Sequence, residues 1–494
     1  MDMLASILVG IQVCMQPQNI LLCFLGVLTG TLIGVLPGIG TVGAMAILFP
    51  LTYGITPVGA IIMLSGIYYG AQYGGSITSI LTNIPGESTS IVTCLDGHQM
   101  ARNGRAGPAL GMSALASFIG ASLVIVLMMF VSAPLARLAL LFGPPEYFAL
   151  LCLGLVILSG LIHGSMSKGV MMVLLGLLLG TVGMDMYGNQ RFTFNSYNLL
   201  DGIGLVPMIM GIFGVAEVIA SLEEPVRREM VSKRLRDLLP TRADWARSRG
   251  AIARGSIIGF FLGLLPGGGA LIASFAAYAV EKRVSKHPEK FGTGMIEGVA
   301  APEAANNAGA QASFLPLLSL GIPTNVVMAV LFGGLLVHNI QPGPMLVADH
   351  PEIFWGVIMS MYMGNIMLLI LNLPLIGLWV RLLSVPYRAL FPFVLFFCLV
   401  GVYATDGNPS DVYVLVIFGF IGYVMKKFGF EPAPFVLAFV ISGIIEVNFR
   451  QSLILSDGSL TIFFTRPLSA VFMVCATGFL VARTFQLLAP RRVS

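Results

Sequence analysis

The chain has 494 residues, of which 56% are hydrophobic and only 10% charged, where an ordinary soluble domain carries about 25% charged residues. So little charge cannot keep a globular surface of this size in solution, which excludes a soluble enzyme or carrier. The net charge of +4 sits in one segment between apolar stretches, so it speaks of membrane orientation and not of a nucleic-acid partner.

In chain order, the N-terminus has no basic region and opens with Asp2, so no cleavable signal peptide is expected. Apolar runs then recur along the whole length, for example Ala149 to Ser159 and Val412 to Met425. They are continuous, not alternating, and lipid offers no hydrogen bonds, so they are expected as helices. The expected fold is an all-α polytopic membrane protein of roughly 11 to 12 transmembrane helices. Residues 1–221 form a first half, 222–254 a basic loop, 255–350 a second repeat core and 351–494 further membrane helices. From Leu222 to Arg254 lie nine basic residues, among them Arg227, Arg228, Lys233, Arg234 and Arg236, against five acids. By the positive-inside rule this loop is the best candidate for a cytoplasmic one. The six cysteines stand singly and read as small core hydrophobes, not as a disulfide framework or zinc site.

The two halves resemble each other. Gly30 to Gly40 matches Gly259 to Gly269 at six of eleven positions, at an offset of 229. Ala71-Gln72 then answers Ala310-Gln311, Ile84-Pro85 answers Ile322-Pro323, and Gly107-Pro108 answers Gly343-Pro344. Landmarks in register indicate an internal duplication, and transporters are commonly built from two repeats with the substrate between them.

Each Leu-Pro-Gly-x-Gly segment lies within apolar sequence, where proline removes an N–H and glycine admits unusual backbone angles. Helices should break there, and a half-helix that starts after the break points its free N–H groups at an anion. Gly38, Gly40, Gly267, Gly268 and Gly269 are therefore candidate substrate contacts. The pattern Gly38-Ile-Gly40-Thr-Val-Gly43-Ala mimics a dinucleotide fingerprint, but it follows no recognisable soluble strand and the second copy has Ile272 in place of the third glycine.

A second pair of interruptions is more polar. Ser76, Thr78, Asn83, Pro85 and Gly86 lie in one, and Pro323, Thr324 and Asn325 in the other. Both read as helical hairpins turning at Ile-Pro, whose neutral donors hold a carboxylate without a buried counter-charge. Glu303, with Asn306 and Asn307, is the candidate for cation binding or coupling, since an acid at membrane depth is by default functional. Glu87 is a weaker case because a charged loop soon follows it, and Asp185 and Glu217 sit at segment ends. His98 and His163 have no metal-ligand partner at useful spacing. No Walker, zincin or nucleophile-elbow motif is found, so neither an enzyme nor direct ATP use is expected.

These same residues carry a family likeness. Gly34 to Gly40, Tyr73 to Glu87, Leu95-Asp-Gly97, Leu265 to Gly269, Tyr278 to Arg283, Ala301 to Asn307, Leu320 to Pro323 and Phe464 to Pro467 resemble, in this order, the large membrane subunit of the tripartite tricarboxylate transporters. The resemblance implies a bacterial inner-membrane symporter for citrate or other carboxylates, driven by Na⁺ or H⁺, with no other cofactor. It implies as partners a small four-helix membrane subunit and a periplasmic substrate-binding protein, and an elevator-like mobile domain. The chain departs from the family at Ser88, where proline is frequent, and at Thr324-Asn325, where Gly-Ser is usual. Both changes add hydrogen-bonding groups and put the substrate in doubt. A channel or a non-transporting assembly subunit is the alternative reading.

Overall fold

The computed structural model describes residues 3–36, 40–161, 166–223, 238–267, 269–383 and 391–488. Within them the chain is helical almost throughout. The one sheet pairs two antiparallel strands of two residues, β1 (Gly183–Met184) and β2 (Gln190–Arg191). Among the described residues five helices are long and apolar enough to cross a membrane: Pro17–Val35, Ala106–Ser132, Pro351–Asn372, Pro409–Lys427 and Pro432–Leu455. Shorter apolar helices of 10–17 residues accompany them. This is an all-α polytopic membrane protein.

Polarity is arranged for lipid. Phe24, Phe130, Phe261, Phe420 and Val474 face outward, whereas helix Glu297–Ala312 is buried along its whole length although it carries Glu303, Asn306, Asn307 and Gln311. A soluble protein would place these two classes the other way round.

The first half contains α1 (Pro17–Val35), α2 (Gly40–Leu48), α3 (Pro57–Thr82) and α4 (Ala106–Ala139). The second contains α5 (Arg242–Leu264), α6 (Gly269–Val284), α7 (Glu297–Ala312), α8 (Phe314–Leu320) and α9 (Val326–Val337). The break between α1 and α2 repeats between α5 and α6. A small-residue stripe explains how each pair closes. A Cβ at Gly26, Gly30 or Gly34 would come within 2.3–2.4 Å of the carbonyl oxygens of Met63, Ile67 and Ala71 on α3. A Cβ at Gly255, Gly259 or Gly263 would meet those of Ala301, Ala305 and Gly309 on α7 at 2.4–2.5 Å. Both helix pairs therefore pack backbone to backbone, as small-x-x-x-small stripes allow.

Of the basic loop, residues 224–237 lie outside the described residues. Beyond it, the Thr241 hydroxyl and the Asp244 carboxylate form a capping box at the start of α5. Ion pairs then hold the neighbouring helix ends together: Arg105–Asp244 at 2.8 Å, Arg247–Glu297 at 2.9 Å and Arg254–Glu281 at 2.8 Å. Asp185 sits on the β1–β2 hairpin and Glu217 pairs with Lys426 at 2.8 Å. His98 lies 3.1 Å from the Ile80 carbonyl, while His163 is outside the described residues.

Candidate substrate and ion site

The two helix breaks open onto one cavity of about 320 Å³. Gly40, Thr41 and Glu87 line it from the first half, and Gly267, Gly269, Ala270, Thr324 and Asn325 from the second. Phe213, Leu158, Val327 and Leu437 supply apolar wall. Among the described residues no lysine, arginine or histidine lines it; its charged residues are Glu87 and Glu431. An anion held here is therefore held by neutral donors. A second space of about 530 Å³ shares Gly40, Glu87, Ser88, Phe213 and Glu431 with the first and reaches the Lys426–Glu217 pair, so the cavity continues outward past those residues.

Local sequence explains the shape. Gly40 and Gly269 have φ of +65° and +51°, a conformation that costs a residue with a Cβ and suits glycine. Each begins a helix whose first N–H groups have no carbonyl one turn earlier. Gly267, also at positive φ, donates its N–H to the Thr324 carbonyl at 2.8 Å, tying the second break to the second hairpin tip. Thr41 donates both its N–H (3.0 Å) and its hydroxyl (2.5 Å) to the Glu87 carboxylate. The Asn325 side-chain carbonyl caps α9 by accepting from the Met328 N–H at 3.0 Å.

The other residues singled out in the sequence are distributed as follows. Gly38 and Gly268 lie outside the described residues. Gly86 lines the outer space and is pressed against α1, where a Cβ would stand 2.1 Å from the Gly34 carbonyl oxygen. Thr78 donates to the Val35 carbonyl at 2.9 Å and so closes the end of α1. Asn83 is the left-handed cap of α3 and is exposed, as is Pro85. Pro323 is buried beside the cavity-lining Thr324 without lining the cavity itself.

Ser76 belongs to a second constellation. The carboxylate of Glu303, with 0% exposure, accepts from the hydroxyls of Ser76 at 2.7 Å, Ser117 at 3.0 Å, and Thr93. Asn307 donates to Ser117 at 2.7 Å and to the Glu303 backbone carbonyl at 3.2 Å. The side-chain oxygen of Asn307 and both amide atoms of Asn306 have no partner. Among the described residues no cation pairs with Glu303. A lone carboxylate in a dry interior costs several kcal/mol. Hydroxyls can solvate it by donating, or rotate and offer lone pairs to a cation. The unpartnered side-chain oxygens of Asn306 and Asn307 thus stand as further hard acceptors on the helix that carries this carboxylate.

The two constellations are joined. Gln72 and Thr89 line the cavity and are hydrogen-bonded to each other. One helical turn deeper, Ser76 and Thr93 bond Glu303, so the separation is about 5–6 Å. Thr41, Thr93 and Ser117 escaped the sequence reading, whereas Thr89 belongs to the hydroxyl-rich stretch of the first hairpin. Thr41 could have been found from its place after the first break, and Gln72 from its match with Gln311. Thr93 and Ser117 carry no sequence signal, since only the fold brings them to Glu303.

Fold and site together define a polytopic membrane protein with paired broken helices around one shared cavity, whose apolar wall carries hydroxyls, amides and two helix starts, the architecture of a solute transporter. The chain belongs to the tripartite tricarboxylate transporter TctA family, whose model matches residues 20–437. It is 50% identical over 471 residues (95% of this chain, 94% of the relative) to an uncharacterized 52.8 kDa Agrobacterium vitis protein in the TAR-I ttuC' 3' region. A second Agrobacterium vitis protein, in the TAR-II ttuC' 3' region, is 52% identical over 212 residues, covering 43% of this chain and 88% of that protein. No solved structure matches the chain.

Proposed function

We propose that the protein is the large permease subunit of a secondary active, cation-coupled uptake system for tricarboxylates or other carboxylates in a bacterial inner membrane. A periplasmic substrate-binding protein delivers the substrate, and a small four-helix membrane subunit stands beside the permease. The observation that supports this best is the convergence of both helix breaks on one cavity lined by two helix starts, hydroxyls, the amides of Gln72 and Asn325, and the carboxylates of Glu87 and Glu431. In this reading the halves are an internal duplication, supported by the matching glycine stripes of α1 and α5.

The substrate's carboxylate is held by neutral donors, which avoids burying a fixed counter-charge. The coupling ion, Na⁺ or H⁺, is held at Glu303 with Asn306 and Asn307, one helical turn beyond the cavity. The Gln72–Thr89 and Ser76–Glu303–Thr93 contacts let occupancy of one site bias the other, and alternating access follows an elevator-like movement of the two hairpin-bearing halves. The test is uptake of radiolabelled citrate, succinate and aromatic acids into proteoliposomes holding all three components, under imposed Na⁺ or H⁺ gradients. Accumulation that needs a gradient supports the reading. Equilibration without coupling overturns it in favour of a channel, and no flux of any acid overturns it in favour of an assembly subunit.

A further inference from the structure

The carboxylate reading above leaves open which of the two helix starts receives the substrate, and the inference here rests on that reading. Around the cavity the halves correspond residue by residue. Gly40 and Gly269 share positive φ, and Asn83 and Gly321 are both left-handed caps. Pro85 then corresponds to Pro323, Gly86 to Thr324 and Glu87 to Asn325, the last two each being the extended cap residue of the following helical turn. Against this symmetry one difference stands out chemically. Glu87 places a carboxylate on the N–H and hydroxyl of Thr41, the second residue of α2. At the equivalent place, Asn325 carries no charge and spends its oxygen on Met328. Ala270, the counterpart of Thr41, gives its N–H to no acceptor among the described residues.

A second observation points to a ligand at the same place. Thr324 has 0% exposure, lines the cavity, and its hydroxyl has no partner. Buried hydroxyls are ordinarily paired. Its counterpart in the first half is glycine, forced by the 2.1 Å approach of the Gly34 carbonyl oxygen to any Cβ there.

We infer that a substrate carboxylate is bound at the start of α6, by the helix N–H groups at Ala270 and the Thr324 hydroxyl, while Glu87 is a resident carboxylate filling the equivalent seat on α2. The site has one open carboxylate seat. A second carboxylate of the substrate is turned away from α2 by Glu87, which makes Glu87 a determinant of how many charges the substrate carries into the cavity.

The test is equilibrium binding of labelled pyruvate, succinate and citrate to the purified full chain in detergent. Thr324→Val should weaken at least tenfold every probe that the unaltered protein binds, and Thr324→Ser should restore it. Glu87→Gln should raise succinate and citrate affinity at least tenfold relative to pyruvate. If the unaltered protein binds probes but Thr324→Val binds them equally, the inference falls while the carboxylate reading stands. An unchanged succinate-to-pyruvate ratio in Glu87→Gln overturns the role given to Glu87, and this arm remains decisive should Thr324→Val fail to fold. If the unaltered protein binds none of the three acids, the carboxylate reading itself falls and takes the inference with it.

Discussion

Replacing Glu303 by glutamine separates the structural from the coupling role of the buried carboxylate. Glutamine keeps one side-chain oxygen and nearly the same volume, and the three hydroxyls around it, Ser76, Thr93 and Ser117, can rotate to accept from its amide. The fold should therefore lose at most about 1 kcal/mol, the scale of one neutral hydrogen bond. Leucine at the same place would instead take from Thr93 the carboxylate it bonds, at about 1–3 kcal/mol for the buried hydroxyl left unpaired, while Ser76 keeps the Gln72 carbonyl and Ser117 the Asn307 amide. The effect on ion binding is of another order. A monovalent cation about 3 Å from a carboxylate, at an effective dielectric of about 20, gains about 5 kcal/mol. Losing it lowers ion affinity by more than about a thousandfold, and a proton has no acceptor of comparable strength left. In reconstituted vesicles, Glu303→Gln should melt within a few degrees of the unaltered protein yet fail to accumulate substrate under an imposed ion gradient. Gradient-driven accumulation at the unaltered level by a well-folded Glu303→Gln protein would refute the assignment.

Other consequences are open to measurement. Gly30→Ala and Gly259→Ala place a Cβ 2.4 Å from the carbonyl oxygens of Ile67 and Ala305, and overpacking of this kind costs about 1–3 kcal/mol. Both should lower the melting temperature, whereas Gly443→Ala, with no heavy atom within 4 Å, should leave it unchanged or raise it slightly; equal shifts at all three would contradict the backbone-to-backbone packing. The backbone N–H of Asn189, helped by other bonds, holds Asp185 down to about 2 from 3.8. A depressed carboxylate contributes stability above its unfolded value and loses it as pH falls through the folded one, so the β1–β2 hairpin should loosen between about pH 4 and pH 2. Pepsin cleavage near Phe192 and Phe194 should rise over that window, and Asp185→Asn should flatten the pH dependence; an identical profile in both proteins would show that Asp185 does not hold the hairpin.

Much of this architecture was legible because membrane folding is unforgiving of backbone polarity. Continuous apolar runs allow only helices, and Gly-Pro interruptions in matching places mark where those helices stop. Hence Gly40, Gly267, Gly269, Thr324 and Asn325 could be named from sequence and are found on one cavity. The same reasoning cannot tell a capping residue from a cavity residue within one interruption. Asn83 and Asn325 look alike as amides beside Ile-Pro, yet Asn83 is an exposed left-handed cap and the cavity-lining counterpart of Asn325 is Glu87. The shell around Glu303 was illegible for a different reason. Ser76, Thr93 and Ser117 lie on separate segments, and a lone hydroxyl in an apolar helix announces nothing until packing shows its partner. Helix counting suffers similarly, since a span broken at its centre no longer satisfies a length criterion and α3 is too polar to announce itself as a span.

Paired helix discontinuities forming one substrate-accessible pocket are the core of this account, and cysteine protection measures that directly. In a background with Cys14, Cys23, Cys94, Cys152, Cys398 and Cys475 replaced, single cysteines would be placed at Val42 and Val327, which line the cavity from opposite halves, and at exposed Asn83. A small water-soluble thiol reagent should label all three, and a transported carboxylate should protect Val42→Cys and Val327→Cys but not Asn83→Cys. Protection of Asn83→Cys alone, or no labelling at either cavity position, would contradict a shared pocket between the two breaks.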